Sequence, residues 1–315
     1  MGNKLLIVFN TCGLGGKNNT AYYVNGIHSI LNQNLNGVHI VLSSCLNTQE
    51  QLQTLYNIFG NQISYNIIVD KLPCFVTFNH SVKKCVESFG HFDGYTYFDS
   101  GCVLNNANDL SVLYKILTQD NAGTVFTRTD TDTGFEWLYK TKDSLGEELF
   151  INGDFVVPLG GAANGHICIF SDELFQYYGN IWPDIFAAQC SESTLTFICA
   201  ALEKKWIISK DVIARHMMYM DGPSSGFSPN EHERKGNKRW DHMFMTQESI
   251  LDIINRGKEY GMGYEEFQQI VMHNPNKFDE NGFATDERLK SYIKDNLFLR
   301  KDQFDYSTIR GQFIP

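Results

Sequence analysis

Between Lys4 and Thr129, short apolar runs alternate with amphipathic helical stretches, and this alternation limits the folds open to the chain more than any other feature. "KLLIVFN" (Lys4–Asn10) is a continuous apolar run of strand length. Beyond it, Val24, Ile27 and Leu31 share one face of a helix with Thr20 in position to cap it. Gly37–Ser43 reads as a second strand. Thr48 and Gln51 then have capping-box spacing at the head of a helix lined by Leu52, Leu55 and Phe59 and closed by Gly60. Ile63–Asp70 is a third strand, Val82, Val86 and Phe89 mark the next helix, and Gly94–Asp99 is the fourth strand. Asn108 or Asp109 opens a helix with Leu110, Leu113 and Leu117 inward, and Thr124–Thr129 is a fifth strand. Strands that alternate with helices in this way predict an α/β fold with an open, mostly parallel sheet flanked by helices. Ligands bind such sheets beyond the carboxyl ends of the strands. The tips there are Thr11, Ser44, Asp70 and Asp99.

Asp99 ends the apolar run of "GYTYFDSGCVLNN" and is followed by Ser100 and Gly101, which have almost no side chain. A ligand site needs that open space. A turn-forming Asp accounts for the carboxylate equally well, and position alone leaves the two readings level. The glycine loop "CGLGGKNN" fits neither phosphate-binding pattern: Asn18 stands where a dinucleotide fingerprint needs its third glycine, and Thr11 where a P-loop needs its first. No G-x-S-x-G nucleophile elbow is present.

Composition removes other classes. The 315 residues carry a formal net charge of -10, which repels phosphate backbones, so nucleic acid is not an expected partner. The 8 cysteines include no C-x-x-C pair, and those in "HICIF" and "TFICAAL" sit in apolar runs, so reduced thiols packed as small hydrophobes are expected. The start "MGNKLLIVFN" reads as a strand rather than a signal peptide, and no apolar run approaches a membrane span; a cytoplasmic setting is the expectation.

From about Phe150 the pattern changes. "FVVPLGGAANGHICIFSDELF" is a Gly/Ala-rich turn, an apolar strand and a helix start, and "SESTLTFICAALEKKW" is a helix. "WIISKDVIARHMMYM" reads as two short strand pieces ending near His216. Residues 221–240 are a loop rich in Gly, Pro, Ser and charge. It carries Lys235 and Arg239, as a solvated loop does, and as a lid over an anionic ligand also would. Helical pieces follow, with Ile250, Ile253 and Ile254 in one and Leu289, Ile293 and Leu297 in another. The organisation expected is a core of residues 1–220, a lid-like loop of 221–240 and a helical C-terminal extension of 241–315.

The order of these pieces resembles the nucleotide-sugar-dependent glycosyltransferases of the GT-A fold, most of all glycosyltransferase family two, over about residues 1 to 220. The resemblance rests on "GIHSILNQNL", "VHIVLSS", the Asn79 of "TFNHSVKKC", "YFDSG", "GGAANGHICIFSDELFQYYG", "CSESTLTFICAAL" and "WIISKDVIARH", in that order. Three departures accompany it. The Asp-x-Asp motif is reduced to Asp99-Ser100-Gly101, Ser43 and Ser44 replace the base-reading acid, and the Glu-Asp pair on the helix is Glu192-Ser193.

The resemblance implies transfer of a sugar from a UDP or GDP donor to a hydroxyl acceptor on a glycan, lipid or protein. It also implies Mn²⁺ or Mg²⁺ held by Asp99 and His216. Thr11, Ser44, Asp70 and Asn79 would line the donor pocket, Ser100 and Gly101 would leave room for diphosphate and ribose, and Lys235 and Arg239 would close over the phosphates. Glu192, at a helix start where the dipole alone favours an acid, would be the general base of an inverting reaction; in a retaining one the leaving phosphate would take the proton and Glu192 would only position the sugar. Two other readings compete with this one. A sugar-nucleotide nucleotidyltransferase needs a Gly-rich, Arg- and Lys-bearing loop after the first strand, where only Lys17 stands. A degenerate GT-A-like protein that binds a glycan or partner is the non-enzymatic reading, and the missing second acid favours it.

Overall fold

The structure is a computed structural model. It describes residues 2, 4–12, 19–45, 47–70, 72, 74–129, 150–151, 154–156, 166–178, 199, 204–217, 287 and 305–315.

The strands are β1 (Leu5–Cys12), β2 (Val38–Cys45), β3 (Ser64–Ile68), β4 (Gly94–Asp99), β5 (Cys102–Val103), β6 (Ala122–Thr129), β7 (Phe150–Ile151), β8 (Asp154–Val156), β9 (Ile167–Ser171), β10 (Lys205–His216) and β11 (Gly311–Ile314). The helices are α1 (Asn19–Leu31), α2 (Gln49–Phe59), α3 (Cys74–Phe89), α4 (Asp109–Gln119) and α5 (Asp172–Tyr178). The sheet runs β11-β3-β2-β1-β4-β9-β6-β10-β8-β7, with β5 paired to β10. Strands β3, β2, β1 and β4 are mutually parallel. β9 lies antiparallel between β4 and β6, so β6 and its parallel neighbour β10 point the same way as β4. The α/β expectation holds, with β9 reversed between β4 and β6, and β8 and β11 antiparallel to their neighbours β10 and β3.

Alternation along β1 builds both halves of the core. Leu5, Ile7 and Phe9 enter one apolar cluster with Ile27 of α1, Leu55 of α2 and Leu113 of α4. Leu6 and Val8 enter the other with Phe78 and Val82 of α3 and Phe170 of β9. A strand covered on both faces has to be apolar throughout, as "LLIVF" is. α2 starts on the expected box: the Gln51 N–H donates to Thr48 Oγ1 and the Thr48 N–H to Gln51 Oε1. α1 seats closely because residue 26 is glycine; a Cβ there would lie 2.6 Å from Phe9 Cε2 and 3.0 Å from the carbonyl oxygen of Cys102.

Several boundaries differ from those read in the sequence. α1 begins at Asn19, which puts Thr20 inside the first turn rather than before it. Asn108 precedes α4 without capping it, and the Asp109 carboxylate instead accepts from the N–H groups of Asn105 and Asn106. The two pieces expected around Ser209 form one strand whose register with β6 shifts between Ile208 and Ile213. Of the segment 241–315, expected to be helical, residues 311–314 form β11 on the edge of β3. Cys45, Cys85, Cys102, Cys168 and Cys199 are buried and take part in no disulfide, as the composition implied. Among the described residues, no helix is long and apolar enough to cross a membrane.

A buried histidine under β3 gives the fold an acid sensitivity. His80 is 5% exposed, and its Nδ1 lies 3.0 Å from the Asn66 side-chain amide nitrogen. Burial, and then the charge of Lys84, hold its pKa down at about 4 against an ordinary 6.5. Between those values the unfolded chain binds a proton that the folded chain refuses. The His80 contribution to stability is therefore complete above pH 6.5 and is lost as pH falls toward 4. Its full size is on the order of 2–3 kcal/mol. Urea midpoints between pH 7 and pH 4 are expected to fall more steeply for the wild type than for His80→Gln.

Candidate active site

The strand order 3-2-1-4 reverses at β1, so the crevice between the carboxyl ends of β1 and β4 is the topological switch point of the sheet. Asn10 and Asp99 face each other across it in register. Asp99 is fixed at this tip. Its Oδ1 accepts from the Gly101 N–H at 2.9 Å, and its own N–H donates to the His166 carbonyl at 2.8 Å.

Three further side chains converge on Asp99. β9 pairs with β4, which brings His166 beside the carboxylate, with Nδ1 3.1 Å from Oδ2. β5 folds back onto the end of β10, so Cys102 stands directly opposite His216 in the ladder. The Met217 N–H closes that turn on the Gly101 carbonyl at 2.7 Å. The two imidazoles lie face to face, ring centres 4.3 Å apart and planes tilted by 34°. One ligand atom from each of Cys102, His166 and His216 falls within 4.8 Å of the others. Cys102 and His216 are buried, while the side chains of His166 and Asp99 remain 23% and 25% exposed, so the cluster opens on the Asp99 side. Burial by itself would raise the Asp99 pKa. The hydrogen bond and charge of His166, the Gly101 N–H and the charge of His216 outweigh it and hold the carboxyl below its ordinary range, ionised at neutral pH.

The cluster tests the cation that the resemblance implies. The donor atoms within 4.8 Å of one another come from Cys102, His166 and His216, with the Asp99 carboxylate beside His166, and this set is softer than the oxygens that Mn²⁺ prefers. Mg²⁺ is poorly served, because it demands oxygen ligands in a near-ideal octahedron.

The other expected residues divide into groups. Thr11 and Ser44 come together at the tips of β1 and β2, and both hydroxyls donate to Asn47 Oδ1, at 2.8 and 2.9 Å. Asp70 and Asn79 are engaged by the C-terminal segment. Asp70 takes three contacts from Arg310, through its N–H, Nε and Nη2, and these hold its carboxyl below the ordinary range. The Asn79 amide donates to Tyr306 Oη at 3.0 Å. Glu192, Lys235 and Arg239 lie outside the described residues.

Sequence reasoning missed His166, Cys102 and Asn47. A signal existed for His166: it heads the strand "ICIF", and a strand after a Gly/Ala-rich turn at the site end of the sheet starts where β4 finishes. Nothing local marks Cys102, because its partner lies more than 100 residues away, across the β5–β10 pairing.

No protein-family profile matches the chain. Nor does any curated protein match it by sequence. Solved structures do match. The mannosyltransferase PcManGT from Pyrobaculum calidifontis, in complex with GDP-Man and Mn²⁺, aligns with a TM-score of 0.55 at 10% identity, over 95% of this chain and 70% of that one. S. aureus TarS 1–349 in complex with UDP-GlcNAc aligns at 0.50 and 12% identity, over 85% of this chain and 70% of that one. Its complex with UDP aligns at 0.50 and 9%, over 99% and 96%. The fold is GT-A. The GT-A sheet of this chain therefore carries Asp99 at its switch point, with two histidines and a cysteine around it.

Proposed function

We propose that the chain is a glycosyltransferase that moves a sugar from a nucleoside-diphosphate sugar to a hydroxyl acceptor. The observation that carries the reading is the convergence of Asp99, His166 and His216 at the switch point of a GT-A sheet. The fold neighbours solved with GDP-Man and Mn²⁺ or with UDP-GlcNAc support a nucleotide-sugar donor, GDP- or UDP-linked.

The chemistry follows from the residues. When the sugar leaves, negative charge collects on the diphosphate, and a divalent cation at this cluster would stabilise it as a Lewis acid. Asp99 supplies a carboxylate already ionised at neutral pH. Its second oxygen fixes the His166 ring, and His216 adds an imidazole from β10. Ser100 and Gly101 keep the phosphate side of this turn free of bulk. Thr11, Ser44 and Asn47 form the polar floor at the tips of β1 and β2 on which the nucleoside would rest. We assign Asp70 and Asn79 an indirect part, holding the C-terminal segment along this edge rather than touching donor. Glu192 is proposed as the base that takes the acceptor proton in an inverting reaction, and Lys235 and Arg239 as lid cations over the diphosphate.

The test is a thermal-shift panel of UDP-, GDP- and CMP-sugars with and without Mn²⁺. One nucleotide class is expected to raise the melting temperature only with metal, by the amount binding linkage gives: about 2.7 kcal/mol at 100 times Kd. If no nucleotide stabilises the protein under any condition, the donor reading fails. A GT-A-like binding protein, which the single carboxylate at Asp99 favours, then takes its place.

A further inference from the structure

We infer that the Asp99 cluster is built for a thiophilic cation of the zinc class, with Cys102 Sγ as a direct ligand, rather than for a hard magnesium-like ion. The inference rests on reading this cluster as a cation site, but not on the identity of any donor nucleotide. Its argument is the donor set. Hard divalent ions are held by carboxylates, carbonyls and water, whereas thiolate selects zinc and its softer neighbours. Here the three atoms that face one another are one sulfur and two imidazole nitrogens, all within 4.8 Å. Ligands on a tetrahedral zinc sit about 2.0–2.3 Å from the metal, so side-chain rotations of about an ångström would close the set. The pairing of β5 with β10 makes this arrangement structural, since Cys102 and His216 are cross-strand partners.

Asp99 completes the centre in a second role. Its Oδ2 lies 3.1 Å from His166 Nδ1. A carboxylate behind a ligating histidine fixes the ring and strengthens the ligand. Three protein ligands leave the fourth position of a tetrahedral ion to a water or substrate oxygen, the arrangement of zinc sites that do chemistry rather than brace a fold. The exposed side of the cluster, at Asp99 and His166, is where such a ligand enters. On binding, the Cys102 thiol gives its proton to solvent and its sulfur forms the bond to the metal.

The experiment uses the full chain stripped with a chelator and titrated with Co²⁺, without nucleotide. A thiolate-to-cobalt charge-transfer band is expected to saturate at one ion per chain and to be displaced by an equivalent of Zn²⁺ but not by excess Mg²⁺. Competition with Mn²⁺ decides nothing, because zinc outcompetes manganese at most nitrogen, oxygen and sulfur sites; the sulfur band decides. Cys102→Ser is expected to abolish the band and weaken Zn²⁺ binding at least about 100-fold, since even outer partners of a ligand contribute 10–100-fold. Cys85→Ser, which alters a thiol buried in the other core cluster, is expected to keep both. If Cys102→Ser does not fold, Cys102→Ala takes its place. A cobalt complex with no sulfur band, or a band that survives loss of Cys102, would overturn the inference. Zinc bound through Cys102 without any nucleotide stabilisation would instead leave this inference standing and remove the glycosyltransferase reading.

Discussion

Asp99→Asn is expected to lower sugar transfer by about 100-fold or more while leaving the melting temperature of the metal-free protein within a few degrees of wild type. The substitution is chosen for what it keeps. An asparagine side-chain oxygen still accepts from the Gly101 N–H, the bond that closes the turn after β4, and the backbone bond from residue 99 to the His166 carbonyl does not involve the side chain. What it removes is the negative charge that His166 and His216 face. Loss of several kcal/mol of charge stabilisation at the diphosphate is a rate loss of this size, because each 1.36 kcal/mol is tenfold. His216→Asn acts on the same ion, so the double variant is expected to lose little more than either single one. Initial rates at saturating metal, with melting curves beside them, are the measurements. Full activity in Asp99→Asn would show that this carboxylate shapes a turn and does no more.

The sheet was legible because its two periods are written in the chain. An apolar run such as "LLIVF" has to be covered on both faces, and the helices at Val24–Leu31, Leu52–Phe59 and Leu110–Leu117 cover one face while the helix at Val82–Phe89 covers the other. Asp99 was legible as well, because a strand tip followed by small residues is a local pattern. His216 was named with it, but Cys102 and His166 were not. Cys102 reads as one more buried thiol, like Cys168 or Cys85, until β5 pairs with the end of β10 and places it opposite His216. His166 stands immediately before β9, a strand reversed between β4 and β6, and periodicity carries no information about strand direction. The C-terminal strand escaped for a related reason. "GQFI" is too short to announce itself, and its place depends on the free edge of β3 about 240 positions earlier.

That strand carries the second large effect. A chain ending at Phe304 is expected to lose about 2–4 kcal/mol of stability, seen as a melting temperature about 5–10 °C lower. Three contributions go together. The β11 ladder leaves β3 with unpaired backbone groups on its outer side, from Tyr65 to Ile68. Phe313, edge-on to Phe89, and Ile314 no longer cover the two core clusters. Arg310 no longer holds Asp70, and Tyr306 no longer holds Asn79 or lies beneath Lys83. An exposed β3 edge is also a template for pairing with other chains, so light scattering is expected to rise along with the loss of stability. Point variants separate anchoring from donor contact. Arg310→Ala and Asp70→Asn break the same ion pair, at the surface, and each is expected to cost little stability. If Asp70 serves the tail, the two variants lower the melting temperature equally and leave nucleotide affinity alone. If Asp70 touches the donor, only Asp70→Asn weakens nucleotide binding, and the polar floor at Thr11 and Ser44 extends one strand further along the sheet.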